Sequence, residues 1–271
     1  MTWTDWEKVP GLDFSETVAH RKYRERGGGV LRLSFNRPER MNAVTARGWE
    51  EVYLAMDYVS RAQDIGVVVL AGVGDHFGVG GDVQGEAESL RHFWKSPPYD
   101  DSVRASLKPV IAAVQGYCIG GHNHLAYHCD FTIAAENAVF GQTGPKIGSP
   151  IHGELVSSLA HVVGMKRAKE MWMMCRQYTA HEMLEWGLVN RVVPLARLED
   201  EVDQWCDELL DIIPECVGLI KQSFEGVGIA LKGENGRLFT MIAPDFFDSP
   251  NISEAVKAFM EKRKPDFWKE K

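Results

Sequence analysis

Two runs constrain this chain more than any other feature. Gly66-Val67-Val68-Val69-Leu70-Ala71-Gly72 and Pro109-Val110-Ile111-Ala112-Ala113-Val114-Gln115-Gly116 are apolar but for Gln115, rich in β-branched residues, and closed by glycine or proline. A strand without polar alternation is buried on both faces, which is the state of a parallel sheet covered on both sides. Val30–Phe35, ending at Asn36-Arg37-Pro38, reads as a third strand, and Phe131–Ala134 and Val189–Val193 as two more. Between the first strands, Thr45–Arg61 carries Trp49, Val52, Leu54, Ala55, Met56 and Val59 at helical spacing. Strands separated by helices predict βαβ units and an α/β fold.

From Lys166 to Lys262 the pattern is mainly helical. Ala180–Trp186 ends at Gly187, Leu198–Ile212 stops at Pro214, and Ser253–Lys262 stops at Lys264-Pro265. Val83–Leu107 contains Pro97-Pro98 and reads as a helix plus a mobile loop beside the site. Trp172, Met173 and Met174 read as core or lining, and His161, spaced from Leu155 and Leu159, as a core histidine.

Apolar residues make up 45% and charged residues 25% of the 271, which excludes a disordered or fibrous chain. No run approaches the roughly 18 apolar residues of a membrane span, and the first residues carry neither a basic nor an apolar leader segment. The net charge of −8 speaks against nucleic acid as a partner. Cys118, Cys129, Cys175, Cys206 and Cys216 are odd in number and irregularly spaced. That fits free thiols in a reducing compartment, so a cytoplasmic location is expected. No cluster has zinc-ligand spacing, so no metal is expected.

Two glycine-rich turns each follow a strand. They are Phe77-Gly78-Val79-Gly80-Gly81-Asp82 and Gly116-Tyr117-Cys118-Ile119-Gly120-Gly121-His122. Glycine allows close approach of backbone N–H groups to a ligand. Two such donors from separate loops can stabilise one developing oxyanion, and a helix starting at Gly121 would add its N-terminal dipole. Neither loop has the order of a dinucleotide or Walker motif.

These loops, with Asn36-Arg37-Pro38-Glu39-Arg40-Met41-Asn42-Ala43, Cys129–Ala135 and Ala138–Gln142, resemble the crotonase (enoyl-CoA hydratase/isomerase) superfamily. The resemblance runs in order from about residue 25 to the C-terminus. Phe140–Ser149, Trp172–Tyr178, Gly187–Asn190 and Glu261–Phe267 are similar to the dihydroxynaphthoyl-CoA synthase and 2-ketocyclohexanecarboxyl-CoA hydrolase branch. The resemblance implies a crotonase-like spiral of ββα units over residues 1–200. It also implies a helical oligomerisation region over 201–271, and a homohexamer built as a dimer of trimers. Coenzyme A would arrive as the substrate thioester, with no separate cofactor. Gly81 and Gly121 would supply the oxyanion N–H groups. Arg37, Met41, Asn42, Ala43, Gly80, Asp82 and Val83 would lie along the coenzyme A, Asp82 also closing the loop. Arg37 and Arg40 would face its phosphates, and Lys262, Arg263 and Lys264 a neighbour's coenzyme A or solvent.

The acid–base positions depart from the family. The first hydratase glutamate falls on His124 and the second on Gly144. The aspartate of the closest branch falls on Ile151, and its Ser or Thr on Val156. His122 stands at the third glycine of the usual triple. His152 falls on an aspartate position of dienoyl-CoA isomerases, with Glu154 two residues on. Histidine, with a pKa of about 6.5, exchanges protons at neutral pH, and a carboxylate beside it can orient its ring. His124 with His152 or Glu154 is therefore the expected acid–base set. Asp130 reads as a strand-end cap. The leading expectation is water addition to an alicyclic or aromatic-derived acyl-CoA through a thioester enolate. The alternatives are a ring-opening C–C hydrolase, a naphthoyl-CoA synthase-type cyclase, and a catalytically silent CoA- or RNA-binding member.

Overall fold

The computed structural model describes residues 2–82, 99–149, 153–224 and 249–265. The chain opens with β1 (Glu7–Lys8), β2 (Thr17–Tyr23), β3 (Gly29–Phe35), α1 (Ala46–Arg61) and β4 (Ile65–Gly72). Next come α2 (Tyr99–Ala105), β5 (Val110–Val114), β6 (Tyr117–Ile119), α3 (Gly121–His128), β7 (Phe131–Ala135) and β8 (Val139–Gly141). The one-turn α4 (Gly144–Ile147) precedes α5 (Gly153–Val163), α6 (Met165–Met174), β9 (Gln177–Thr179), α7 (Ala180–Trp186), β10 (Arg191–Val193) and α8 (Leu198–Leu209). Helix α9 covers 214–224, and α10 is Pro250–Met260.

Seven strands form one sheet in the order β1-β2-β3-β4-β5-β7-β10, parallel from β3 onward. A second sheet holds β6-β8-β9. The unalternated strands have the predicted two buried faces. Val68 and Leu70 of β4 pack with Trp49, Val52 and Val59 of α1. Val67, Val69 and Ala71 pack on the other face with Ile111, Ile133 and with Leu198, Val202 and Cys206 of α8.

Several details differ from the sequence reading. Pro214 ends no helix; it opens α9, where a missing N–H costs nothing. His161 is exposed, because the buried stripe of α5 is Leu155, Leu159 and Val163, and His161 lies off it. Met173 and Met174 are exposed on the outer face of α6, while Trp172 is buried. Of the helix and loop expected over Val83–Leu107, residues 99–105 form α2, and 83–98 lie outside the described residues. Asp130 accepts the first N–H of β5, from Val110, at 2.7 Å and pairs with Lys221 of α9 at 2.8 Å. It ties that helix to the sheet as well as capping a strand. The five cysteines are all free thiols.

Candidate active site

The two glycine loops run side by side through β6. Gly78 N–H donates to Tyr117 O (2.8 Å), and Ile119 N–H donates back to Gly78 O (2.9 Å). Val44 N–H then donates to Gly80 O, and Asp82 N–H to Val44 O, both at 2.9 Å. In a trans peptide the N–H points opposite to the C=O. With Gly80 O turned to Val44, the Gly81 N–H faces the other way, towards the cleft that Gly81 lines.

Gly120 is the N-cap of α3, with φ +60°. Its N–H donates to Gly141 O, and its C=O accepts from His124 N–H, each at 3.0 Å. Gly121 N–H therefore sits at the open N-terminal end of the helix, where no intrahelical acceptor exists. Gly121 lines the same cleft. The loops touch: a Cβ on Gly80 would stand 3.1 Å from Gly121 N. Two N–H donors, one beside a helix N-terminus, are thus presented together to the expected oxyanion position.

The cleft has a volume of about 1040 Å³. Its buried lining includes Trp49, Ile119, Gln142, Leu155 and Trp172. Its exposed lining carries the cations Lys146, Arg263 and Lys264, with Glu39 among them and the half-buried Arg40 beside them. His124 also lines it, one helical turn beyond Gly121. The His124 ring stacks on Trp172 with centroids 5.5 Å apart at 27°. Its Nε2 lies 3.2 Å from Gln142 Oε1. An amide oxygen only accepts, so this bond places a proton on Nε2.

Other expected residues take different places. Glu154 is not among the lining residues; its carboxylate accepts from Arg104 at 2.7 Å. His152 and Val83 lie outside the described residues. Met41, Ala43, Gly80 and Asp82 line the cleft. Arg37 and Asn42 are behind it. The Arg37 guanidinium donates to Ala43 O (2.7 Å) and Asp82 (3.0 Å). Asn42 accepts from Arg37 N–H (2.9 Å) and donates to Val73 O (3.0 Å) and His76 O (2.7 Å). These two residues brace the turn whose Met41 and Asn42 have φ of +51° and +57°. Arg263 and Lys264 line the cleft of their own chain. Gln142, read only as a landmark before Gly144, turns out to hold the His124 ring. Nothing local in the sequence signals that contact, since the partners are 18 residues apart.

Residues 25–271 match the model of the enoyl-CoA hydratase/isomerase family. The chain belongs to that family. An enoyl-CoA hydratase from Mycobacterium avium subsp. paratuberculosis K-10 superposes with a TM-score of 0.80 at 26% identity, covering 94% of this chain and 100% of that one. An enoyl-CoA hydratase/isomerase from Xanthobacter autotrophicus Py2 gives 0.78 at 28% identity, covering 92% and 97%. A methylmalonyl-CoA decarboxylase in complex with 2-nitronate-propionyl-CoA gives 0.82 at 22% identity over 95% and 100%, a likeness of fold. This is therefore an acyl-CoA-processing enzyme of the hydratase/isomerase family. His124 and Gly144, where the resemblance places the two hydratase glutamates, both line its cleft.

Proposed function

We propose that this protein adds water to an alicyclic or aromatic-derived enoyl-CoA, through a thioester enolate held by the Gly81 and Gly121 N–H groups. The observation that carries the reading is the approach of these two donors in one cleft with His124 a turn beyond. Addition of water at the β-carbon pushes charge onto the thioester oxygen, and fixed donors stabilise it where it develops. His124 takes a proton from the attacking water and returns it to the α-carbon, so one water is added across the double bond. Gln142 and Trp172 fix the ring that performs both transfers. The ring-bearing acyl group is supported by the sequence likeness of residues 140–149 to ring-handling relatives and by the aromatic lining. Coenzyme A is carried by the substrate, its phosphates lying near Arg40, Lys146 and Lys264. The enzyme acts as a homohexamer in the cytoplasm, and sedimentation of the purified chain measures the assembly.

Incubation with a panel of cyclic enoyl-CoA and β-keto acyl-CoA esters tests the reaction. The expected product is a cyclic 3-hydroxyacyl-CoA, heavier than the substrate by one water, with its ring intact by NMR. An opened ring, or no turnover of any cyclic enoyl ester, overturns it. His124→Ala is expected to lower kcat by about 10²–10³-fold while acyl-CoA affinity stays constant. Full turnover by that variant removes His124 from the reaction.

A further inference from the structure

His122 has no part in the chemistry above, yet it occupies the centre of the construction. It is fully buried, on the first turn of α3. Its Nδ1 accepts the Gly80 N–H at 2.9 Å. Its ring is packed edge-on by Phe35 (4.3 Å) and Phe77 (5.6 Å), and Trp49 lies at 5.5 Å. The loop is shaped around this ring: a Cβ on Gly78 would stand 2.2 Å from His122 Nε2. Trp49 in turn lies under Gly121, where a Cβ would come within 2.8 Å of its ring.

We infer that His122 is a positioning residue: it accepts the Gly80 N–H and thereby fixes Gly80, the residue from which the Gly81 donor is presented. This rests on the oxyanion-hole reading of Gly81 and Gly121. Gly80 is restrained on both of its peptides. Val44 N–H holds Gly80 O, and His122 Nδ1 holds the N–H of Gly80 itself. Both are needed because Gly80 is a glycine at φ +89°, with no side chain to restrict its rotation. His122 stands on α3, the helix whose first N–H is the second donor. One side chain therefore sets the first donor relative to the second. Only a neutral ring can accept from Gly80, and burial holds the His122 pKa down to about 3. A glycine at this position would leave the Gly80 N–H without that acceptor.

Two substitutions separate positioning from packing. His122→Phe keeps an aromatic ring and removes the acceptor. His122→Asn loses ring volume but offers Oδ1 near the place of Nδ1. Kinetics with a turned-over acyl-CoA, together with melting temperatures, are the readout. His122→Phe is expected to lower kcat about tenfold or more with KM little changed, since one misplaced donor removes transition-state stabilisation alone. His122→Asn is expected to recover much of kcat although it melts lower. Hydrogen exchange over residues 77–82 should quicken in His122→Phe and not in His122→Asn. Should the Phe variant not fold, His122→Leu takes its place. Full kcat in the acceptor-less variant overturns the inference, as does loss of kcat in step with melting temperature in both. If Gly80→Ala is also fully active, the oxyanion reading of the cleft fails, and not the role of His122 alone.

Discussion

Glu51 shows how a single buried charge organises the entry to the cleft wall. Its side chain is fully buried in α1, yet it accepts five hydrogen bonds of 2.7–3.0 Å from Ser15, Glu16 and Thr17. Burial alone would raise its pKa, but these donors outweigh it and hold the carboxyl below the ordinary 4.5. The folded pKa lies below the unfolded one, so the unfolded chain binds the extra proton. The contribution is then complete above the unfolded value and is lost as pH falls through the folded one. Glu51→Gln turns an amide N–H towards backbone N–H groups and should cost about 2–3 kcal/mol at neutral pH. Urea melts should show the gap to wild type shrinking below pH 4.5, and a gap that widens there contradicts the assignment. At this scale the sequence was readable only where one residue carries the message. His124 stands where the resemblance places a hydratase glutamate, and the structure puts it on the cleft. The Gly80–His122 bond joins residues 42 apart and left no local trace. Glu154 looked reactive because Arg104, its partner, is 50 residues away.

Secondary elements were legible in proportion to their burial. β4 and β5 announced themselves because both faces are covered, and α7 (Ala180–Trp186) because a Thr179–Glu182 capping box and Gly187 bracket it. β2 was missed because His20, Arg21 and Lys22 interrupt its apolar run, and Lys22 is buried against Asp203 of α8. β6, β8 and β9 are three residues each, too short to show a period of two. Yet β6 is the strand that holds the first glycine loop against the second. The loop itself makes a prediction. Gly80 has φ +89°, and a Cβ there would stand 3.1 Å from Gly121 N. Gly80→Ala therefore strains the backbone by about 1 kcal/mol and places a methyl against the second donor. Turnover should fall more than tenfold while the melting temperature moves by a few degrees. Unchanged kcat would show that the oxyanion lies elsewhere.

Across the whole molecule, the last described segment returns to the first. Helix α10 seats on the α4 turn: a Cβ on Gly148, at φ +72°, would stand 3.1 Å from Ile252 Cγ2, and Ala255 and Ala258 are buried. That seat brings Phe259, Arg263, Lys264 and Pro265 to the cleft that the glycine loops form more than a hundred positions earlier. The basic cluster was visible in the sequence. Its destination was not, because it depends on how a helix near the C-terminus docks. The two cations differ. Arg263 is held by Glu254 at 2.6 Å and Glu261 at 2.6 Å, so much of its charge is matched internally. Lys264 has no carboxylate partner among the described residues, in a chain of net charge −8. Of these two, it is the one we propose meets the phosphates of a coenzyme A ester. Lys264→Glu reverses one unit charge at the cleft. The change of two unit charges, at about 1 kcal/mol each in water-like surroundings, makes the expected rise in KM roughly thirtyfold, with kcat unchanged. The rise should diminish with added salt, since exposed charges are screened within about 10 Å at 0.1 M. A truncated thioester of the same acyl group, lacking the nucleotide phosphates, should show no difference between Lys264 and Glu at this position. An equal loss on both substrates would mean that the substitution disturbs the seat of α10 rather than a phosphate contact. An unchanged KM for the full coenzyme A ester would place the phosphates away from this end of the cleft.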